Sequence, residues 1–309
     1  MSSSNNQNEI YDMIVLGAGP AGLTAAIYAC RANLKTVVLE SMVSGGEITA
    51  TEQLDNYPGF PEGISGVEFG ERMEKQARKF GAELTFSTVE KLELQSNIKK
   101  VFSEQGEIQG HTVVIATGTS PRTLGVSGEE KLRGRGISFC ATCDGPFFRE
   151  KRVAVVGGGD SAVEEALYLT RFVDKIDLIH RRDTLRAIPS LQEKMFSNPK
   201  IEFHKNCIVK EFGGEQKMEK IVIENLNDSS TKELPVDGAF LYVGRIPNVD
   251  FITGVEMDSQ GFIITNEEME TNLPGVFAAG DVRRKYLRQV LTAAADGSIA
   301  AAKSIQYLS

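Results

Sequence analysis

The chain has 309 residues, a length that suggests about two domains. Apolar residues make up 41% of it and charged residues 25%, as expected for a soluble globular protein. No stretch approaches the about 18 consecutive apolar residues of a membrane span. The formal net charge of -8 argues against a nucleic-acid-binding surface.

The first nine residues, MSSSNNQNE, are polar and contain no basic segment followed by an apolar one. We therefore expect residues 1–10 to form a disordered tail rather than a secretory signal, and we expect a cytoplasmic protein. In that reducing compartment, a Cys-x-x-Cys motif is redox-active or metal-binding rather than a structural staple. Cys30 and Cys207 are isolated, and the histidines form no paired ligand motif, so we expect no metal site.

Residues 11–40 have the pattern of a dinucleotide-binding unit. An apolar run, MIVLG, reads as a buried strand, and the motif GAGPAG follows it before a helical pattern. Gly17 permits the tight turn, Gly19 lets the backbone approach a pyrophosphate, and Gly22 lets helix and strand pack closely. The next strand, KTVVLE, ends in Glu40, which can accept hydrogen bonds from a ribose diol. This unit predicts a site for a nucleotide with a free 2′-hydroxyl, such as FAD or NAD.

Residues 151–187 repeat the same layout with a different ending. The strand RVAVVG leads into GGGDSA and a helix, and the second strand, KIDLIH, ends in a basic cluster. That cluster contains His180, Arg181 and Arg182, with Arg186 four residues further on. Basic side chains at this position bind a 2′-phosphate, so the second unit is predicted to prefer NADPH.

Two different dinucleotide sites in one chain indicate a flavin that passes electrons from NADPH to an acceptor. The strand TVVIATG, ending at Thr117 and Gly118, and the segment from Gly280 to the alanine-rich C-terminal helix favour FAD in the first site. The predicted fold is α/β, with two Rossmann-like, three-layer ββα domains, one inserted into the other. The FAD domain is predicted to span 11–121 and 249–309, and the NADPH domain 122–248.

The stretch FCATCDG lies inside the second domain and contains Cys140, Cys143 and Asp144. Together with GAGPAG, GGEITATEQLDNYPGF, GGGDSAVEEA, HRRDTLRA and GDVRRKYLRQVLTAAADG, it makes the chain resemble the low-molecular-weight, bacterial-type thioredoxin reductases over nearly its whole length past residue 10. The larger disulfide reductases have their cysteines in the flavin domain, four residues apart. The spacing of two therefore points to the small class.

The resemblance implies a relay from NADPH through FAD and the Cys140–Cys143 pair to the disulfide of thioredoxin. In it, Cys143 is the thiol nearest the flavin, Cys140 attacks the partner disulfide, and Asp144 moves the proton that the exchange requires. Asp144 also suits a turn, since Asp-Gly favours one. A homodimer and a rotation of the NADPH domain between two states are expected from the same resemblance.

The motifs and the resemblance together give two sets of candidate binding residues. The FAD set is Gly17, Gly19, Pro20, Ala21, Gly22, Glu40, Gly45, Gly46, Glu47, Asn56, Thr117, Gly118, Gly280, Asp281, Arg288, Gln289 and Val290. The NADPH set is Gly157, Gly159, Asp160, Ser161, Ala162, His180, Arg181, Arg182 and Arg186.

Two features of the sequence leave alternatives open. The family usually has glutamine where this sequence has Glu47. Three alternatives are open for the Glu47 side chain: it contacts the flavin ring as that glutamine would, it is protonated, or it is turned away from the ring. Phe147 and Phe148 follow the redox motif, where aromatic residues of the family help to hold thioredoxin, but a buried core role is equally compatible with the sequence.

Four other functions fit parts of the pattern. Two are a reductase for a peroxiredoxin- or glutaredoxin-like partner and a reductase fed by ferredoxin. The third is a dithiol oxidase that uses oxygen, and the fourth is a flavin-binding redox sensor without turnover. The basic cluster at His180 to Arg186 argues against the ferredoxin-fed and oxidase alternatives, and the retained cysteine pair argues against the sensor.

Overall fold

The computed structural model describes residues 10–51, 53–54 and 56–309. The predicted tail therefore lies outside the described residues except for Ile10, which is the first residue of a strand. The elements in the first part of the chain are β1 (Ile10–Leu16), α1 (Pro20–Arg31), β2 (Thr36–Glu40), α2 (Gly66–Lys79), β3 (Glu83–Phe86), β4 (Val89–Glu93), β5 (Lys99–Ser103), β6 (Gly106–Ile115) and β7 (Thr119–Pro121).

The remaining elements follow in chain order. They are α3 (Glu129–Leu132), β8 (Ile137–Ser138), α4 (Ala141–Asp144), β9 (Arg152–Gly157), α5 (Asp160–Leu169), β10 (Lys175–His180), α6 (Pro189–Phe196), β11 (Ile201–Lys205), β12 (Cys207–Gly213), β13 (Lys220–Asn225), β14 (Thr231–Pro235), β15 (Gly238–Tyr242), β16 (Arg245–Pro247), β17 (Val276–Ala278) and α7 (Val290–Leu308).

The chain divides into two compact units. Unit 1 combines the segment up to Ser120 with the segment from Ile246 onward, and unit 2 is the continuous segment Pro121–Arg245. The two segments that cross this division, β7 and β16, pair with each other as a two-stranded sheet.

The sheet of unit 1 has a parallel core in the order β3-β2-β1-β6. Strand β6 is long enough to pair with two partners on its other edge. Its first half, Gly106–Gly110, pairs antiparallel with β5, and Val113–Ile115 pairs parallel with β17. Strand β4 then pairs antiparallel with β5, so a meander branches from the parallel core.

The alternation of side chains along these strands gives unit 1 a core on each face of its sheet. Met13 and Val15 of β1 pack with the buried residues of α1 and α7 on one face. Ile14 and Leu16 pack with the meander on the other face. Unit 1 is thus a layer of helices, a parallel sheet and a strand layer.

Unit 2 has a fully parallel five-stranded sheet in the order β11-β10-β9-β15-β8 and a separate antiparallel meander of β12, β13 and β14. Val153 and Val155 of β9 pack with α5, while Ala154 and Val156 pack with the meander. The same three layers therefore recur, and the prediction of two Rossmann-like α/β units is confirmed. Within the described residues, none of the helices is both long and apolar enough to cross a membrane.

Candidate active site

The first glycine turn joins β1 to α1. Gly17 has φ of 103°, and a Cβ there would lie 2.5 Å from the Ala116 carbonyl oxygen. A Cβ on Gly22 would lie 1.9 Å from the Gly17 carbonyl oxygen, so a side chain is excluded where the helix passes the turn. At Gly19, by contrast, the nearest atom to such a Cβ is 4.0 Å away. The turn is therefore tightly packed at Gly17 and Gly22, whereas the space next to Gly19 is open. A phosphate can thus approach the start of α1, where Pro20 is the first residue.

Glu40, at the end of β2, already organises this turn. Its Oε2 accepts a hydrogen bond of 2.8 Å from the Ala18 amide, and its Oε1 accepts one of 3.0 Å from the Met42 amide. A carboxylate has about four lone-pair positions, so capacity remains for a ribose diol. The side chain is held at the carboxyl end of the parallel sheet, where ligands bind in folds of this type.

Other predicted residues of unit 1 converge on the same turn. The Gly45 amide donates to the Ala18 carbonyl at 2.8 Å, and a Cβ on Gly46 would lie 3.2 Å from the Gly19 Cα. Gly280 has φ of 80°, and a Cβ there would lie 2.9 Å from the Ala21 Cβ. The structure thus brings segments far apart in sequence around one glycine loop.

The residues before the C-terminal helix form a second part of the same region. Asn56 Nδ2 donates to Gln289 Oε1 at 3.1 Å, and Gln289 caps α7, which begins at Val290. Arg288 stacks on the Phe262 ring at 4.2 Å. Asp281 lies in a short 3₁₀ helix, and Glu47 is an exposed residue of the 3₁₀ helix Gly46–Ala50.

Asn248 was missed by the sequence reasoning, although it fixes two predicted residues. Its Nδ2 donates to the Thr117 carbonyl at 2.9 Å, its amide donates to the Gly118 carbonyl at 3.1 Å, and its own carbonyl accepts from Thr117 Oγ1 at 2.8 Å. A Cβ on Gly118 would meet no atom within 4 Å. Asn248 therefore fixes the loop after β6, while the space next to Gly118 is open.

The second glycine turn joins β9 to α5. A Cβ on Gly157 would lie 2.7 Å from the Ala162 Cβ, and one on Gly158 would lie 2.3 Å from the His180 ring. Asp160 ties the turn to the following loop by accepting a 2.8 Å hydrogen bond from the Ile188 amide. Ser161 follows Asp160, and both are exposed residues at the start of α5.

His180 and Arg186 of the basic cluster contact this second turn, and the charges of Arg181 and Arg182 lie close to His180. His180 is buried, and burial followed by the nearby Arg186, Arg182 and Arg181 charges lowers its pKa, so the imidazole is neutral. The three arginines are exposed, and the Arg186 amide donates to the Gly158 carbonyl at 2.7 Å. Three guanidinium groups beside a glycine loop can bind the 2′-phosphate of NADPH.

The cysteine pair lies at the edge of the same sheet of unit 2. Strand β8 pairs with β15, and two residues after β8 the chain enters α4, for which Cys140 is the N-cap. Cys140 and Cys143 form a disulfide with Cα atoms 5.3 Å apart. The Cys143 amide donates to Cys140 Sγ at 3.2 Å. Both sulfurs are thus held at the carboxyl ends of the parallel strands, the edge that also carries the glycine turn.

Asp144 is fixed next to the disulfide by a serine that the sequence reasoning missed. Ser138 Oγ donates to Asp144 Oδ2 at 2.5 Å and accepts from the Cys140 amide at 3.1 Å. The Asp144 amide donates to the Cys140 carbonyl at 3.0 Å, which closes the turn of α4. The carboxylate therefore has a defined position beside the sulfurs.

The two phenylalanines after the motif differ. Phe148 packs edge-on against the buried Phe240, with ring centroids 5.3 Å apart. Phe147 is 39% exposed. Phe148 is therefore packed against the core, whereas Phe147 lies at the surface.

Two further side chains of unit 2 accompany the cysteine helix, and no motif indicated them. Tyr242, at the end of β15, accepts a hydrogen bond of 2.7 Å from the Ala141 amide. Glu165, on α5, has its pKa raised to about 7, first by burial and then by the charge of Glu164. Helix α5 packs directly against α4, so both side chains belong to the surroundings of the redox pair.

One group of potential metal ligands exists elsewhere in unit 2, formed by Asp177, Glu202 and His204. The buried Asp177 carboxylate already accepts hydrogen bonds of 2.6 and 2.8 Å from Arg152 and one of 2.8 Å from His204. Burial would raise the pKa of Asp177, but these partners outweigh it and lower the value to about 2. The group is thus an ion-pair network of the fold.

The sequence profile of the pyridine nucleotide-disulphide oxidoreductases matches residues 11–297. The thioredoxin reductase of Peptoclostridium acidaminophilum is 45% identical in an alignment of 306 positions that covers 97% of this chain and 97% of its own. That of Treponema pallidum is 44% identical over 298 residues, covering 96% of this chain and 97% of its own. The crystal structure of thioredoxin reductase from Streptococcus pyogenes superimposes with a TM-score of 0.93 at 44% identity, covering 97% of this chain and 99% of that one.

The match of the family profile extends across both glycine turns, the basic cluster and the cysteine helix. The relatives are similar over their whole length rather than over one domain. The chain therefore belongs to the pyridine nucleotide-disulphide oxidoreductase family.

Proposed function

We propose that the chain is a thioredoxin reductase, which transfers reducing equivalents from NADPH through FAD and the Cys140–Cys143 disulfide to the disulfide of thioredoxin. The observation that carries this proposal is the position of the cysteine pair in unit 2. The disulfide lies at the same sheet edge as a glycine turn that His180 and Arg186 contact, with the charges of Arg181 and Arg182 close to His180. A redox disulfide and a site suited to NADPH are thus combined in one unit.

The residues of unit 1 fit FAD. The glycine turn leaves open space above Gly19 and Gly118, and Glu40 is held where a ribose diol would lie. The residues from Gly280 to Val290 would line the remainder of the site, with Asn56 beside Gln289. The chemistry supplied by FAD when bound is the exchange of two electrons between a hydride donor and a disulfide.

In unit 2, Gly157 to Ala162 would hold the pyrophosphate of NADPH, and Arg181, Arg182 and Arg186 would hold its 2′-phosphate. The neutral His180 packs against Gly158 and fills the space beneath the loop. Unit 1 has Glu40 at the equivalent strand end, which would repel a 2′-phosphate. The two units would therefore accept different nucleotides.

The protein side of the reaction is a thiol–disulfide exchange. Two electrons break the Cys140–Cys143 bond, leaving a thiol and a thiolate after uptake of one proton. The Cys140 thiolate attacks the thioredoxin disulfide and forms a mixed disulfide, and Cys143 then displaces the reduced thioredoxin and restores the bond. Asp144, held by Ser138, would pass protons between these sulfurs and solvent.

The finer assignments follow from the same proposal. Residues of unit 1 make up the FAD domain and those of unit 2 the NADPH domain, and Phe147 contributes to the docking surface for thioredoxin. The active form is a homodimer in the cytoplasm that binds no nucleic acid. The nicotinamide and the cysteine pair both belong to unit 2 and must serve one flavin in turn, so unit 2 rotates about β7 and β16.

The first test measures NADPH oxidation with purified thioredoxin, compared with NADH, in the unsubstituted protein and in Cys140→Ser. We expect thioredoxin-dependent oxidation that is weak with NADH and absent in the variant. Reduction of the flavin without reduction of thioredoxin would mean that another disulfide protein is the partner. Failure of both nucleotides to reduce the flavin would favour a ferredoxin-fed reductase.

The rotation is tested by a disulfide engineered across the two connecting strands. FAD should remain bound while turnover slows, and reduction of the engineered disulfide should restore the rate. Unchanged turnover in the oxidised, cross-linked protein would contradict the rotation.

A further inference from the structure

Tyr242 connects the nucleotide-binding edge of unit 2 with the cysteine helix. Its backbone is in register with Gly157 on β9, and a Cβ on Gly157 would lie 3.2 Å from the Tyr242 Cβ. At the end of its side chain, the phenol oxygen accepts a 2.7 Å hydrogen bond from the Ala141 amide. Ala141 is the residue that follows Cys140 and begins α4.

The amide groups at the start of a helix have no partners within the helix and must find them elsewhere. In α4 the Cys143 amide donates to Cys140 Sγ at 3.2 Å, and the Asp144 amide donates to the Cys140 carbonyl. The Ala141 amide is the one directed to a side chain outside the motif. The orientation of this short helix is therefore fixed at its first residue by Tyr242 and at its last by the turn through Asp144.

We propose that Tyr242 is a positioning residue of the redox centre, whose phenol oxygen holds the Ala141 amide so that the Cys143 amide stays directed at Cys140 Sγ. This inference rests on the proposed function, because it concerns the cysteine pair of that relay. When two electrons and one proton convert the disulfide into a thiol and a thiolate, the Cys143 amide is the donor that stabilises negative charge on Cys140. Loss of the tyrosine hydroxyl releases the helix start and weakens that donor.

The surroundings of the phenol suit a neutral acceptor. Burial raises the pKa of Tyr242 well above its usual range, and the charge of Glu165 raises it further. The Ala141 hydrogen bond lowers it by less than either, and Asp144 and Arg245 have still smaller, opposite effects. The phenol therefore remains protonated while the thiols titrate. The ring packs against the buried cluster that contains Ala141, Ala162 and Phe240, so its position does not depend on the hydrogen bond alone.

The test compares Tyr242→Phe with Tyr168→Phe, in which another ring of unit 2, packed edge-on against Phe172, loses its hydroxyl. Each substitution is made in the FAD-loaded protein with and without Cys143→Ser. In the Cys143→Ser background, the rate of iodoacetamide alkylation of Cys140 against pH gives the thiol pKa. In the protein that retains both cysteines, equilibration with glutathione gives the equilibrium constant for reduction of the Cys140–Cys143 disulfide.

We expect Tyr242→Phe to slow alkylation of Cys140 at pH 7 by about 3- to 10-fold, because one hydrogen bond to a charged group is weakened. The equilibrium constant for reduction by glutathione should fall by up to about tenfold, which is about 30 mV toward a more negative potential. FAD content and melting temperature should match those of Tyr168→Phe. An alkylation profile and potential equal to those of Tyr168→Phe would show that Tyr242 is only a packing residue.

Amide hydrogen exchange in the unsubstituted protein provides a second test that does not depend on folding of the variant. The Ala141 amide must be protected, and rapid exchange there would overturn the proposal. The alkylation, glutathione and hydrogen-exchange measurements use neither NADPH nor thioredoxin. Failure of the proposed function would therefore appear as missing turnover, and failure of this inference as unchanged thiol chemistry.

Discussion

Ser138 donates a hydrogen bond of 2.5 Å to Asp144, six residues further along the chain, and its oxygen accepts one from the Cys140 amide. One hydroxyl thus holds both the backbone of Cys140 and the carboxylate of Asp144. The arrangement depends on strand β8, because its pairing with β15 places Ser138 at the sheet edge.

Asp144→Asn should lower the rate of thioredoxin reduction by about 10²- to 10³-fold, since general acid–base catalysis contributes that much. Ser138→Ala should lower it by about tenfold, because a hydrogen bond to a charged group is worth about 1.5 kcal/mol. Stopped-flow reduction of thioredoxin by the pre-reduced enzyme measures both. Ser197→Ala, which removes an exposed hydroxyl at the end of α6, is the control. Equal rates for Ser138→Ala and this control would contradict the role of Ser138.

Glu165 makes the stability of the protein depend on pH. Its pKa is raised from 4.5 to about 7, first by burial and then by Glu164, so the neutral form is favoured in the folded state. Ionisation of Glu165 therefore lowers the free energy of unfolding. This loss is absent below pH 4.5, grows between pH 4.5 and about pH 7, and is complete above about pH 7. The shift corresponds to at most about 3 kcal/mol, and screening by solvent around this partly buried group reduces it to about 1–2 kcal/mol.

Glu165→Gln should therefore raise the free energy of unfolding at pH 8 and leave it nearly unchanged at pH 4. Urea unfolding at the two pH values measures the difference, with Glu193→Gln, an exposed residue of α6, as the control. A gain of the same size at both pH values would show that ionisation of Glu165 is not its cause.

Asp296 fixes the loop that precedes α7. It is buried, and its Oδ2 accepts from the Gly280 amide at 3.0 Å and from Lys285 at 2.7 Å, while its Oδ1 accepts from Arg283 at 3.2 Å. Asp296→Asn leaves two largely buried cations without their anion and should cost about 3 kcal/mol of stability. Because the loop carries predicted FAD contacts, the dissociation constant of FAD, followed by flavin fluorescence, should rise at least about tenfold. Asp250→Asn, at an exposed site of the same unit, should change neither quantity.

The exposed arginines at the end of β10 should determine the choice of nucleotide. Arg181→Ala and Arg186→Ala should each raise the KM for NADPH by about 10- to 100-fold, because each removes charge-assisted hydrogen bonds to a 2′-phosphate worth about 1.5–3 kcal/mol. The KM for NADH, which has no 2′-phosphate for these guanidinium groups to bind, should stay within about twofold. Arg171→Ala removes an exposed guanidinium that stacks on Tyr168 and should affect neither nucleotide. Parallel losses for both nucleotides would show that these arginines do not recognise the phosphate.

The sequence sufficed where the structure depends on a local pattern. The turn at Gly17 to Gly22, the strand end at Glu40 and the cysteine spacing are each readable within a few residues. Tyr242 and Asn248 were missed because their partners lie far away in the chain, whereas the partners of Asp296 lie 11 to 16 residues away but belong to no short motif. Tyr242 meets Ala141 across 101 residues, and Asn248 meets Thr117 across 131. Only the strand register brings such pairs together, and no short motif encodes that register.

The pairing of β17 with β6 has a consequence for synthesis on the ribosome. Unit 2 is one continuous segment and is complete once Arg245 has emerged, whereas the first 120 residues lack β17 and α7 until the last part of the chain is made. Until then, the N-terminal portion has an unpaired strand edge and an uncovered face of α1. We therefore expect the inserted segment to fold before the N-terminal portion does. Limited proteolysis of nascent chains stalled when Arg245 has just left the ribosome should find unit 2 protected and the earlier segment cleavable.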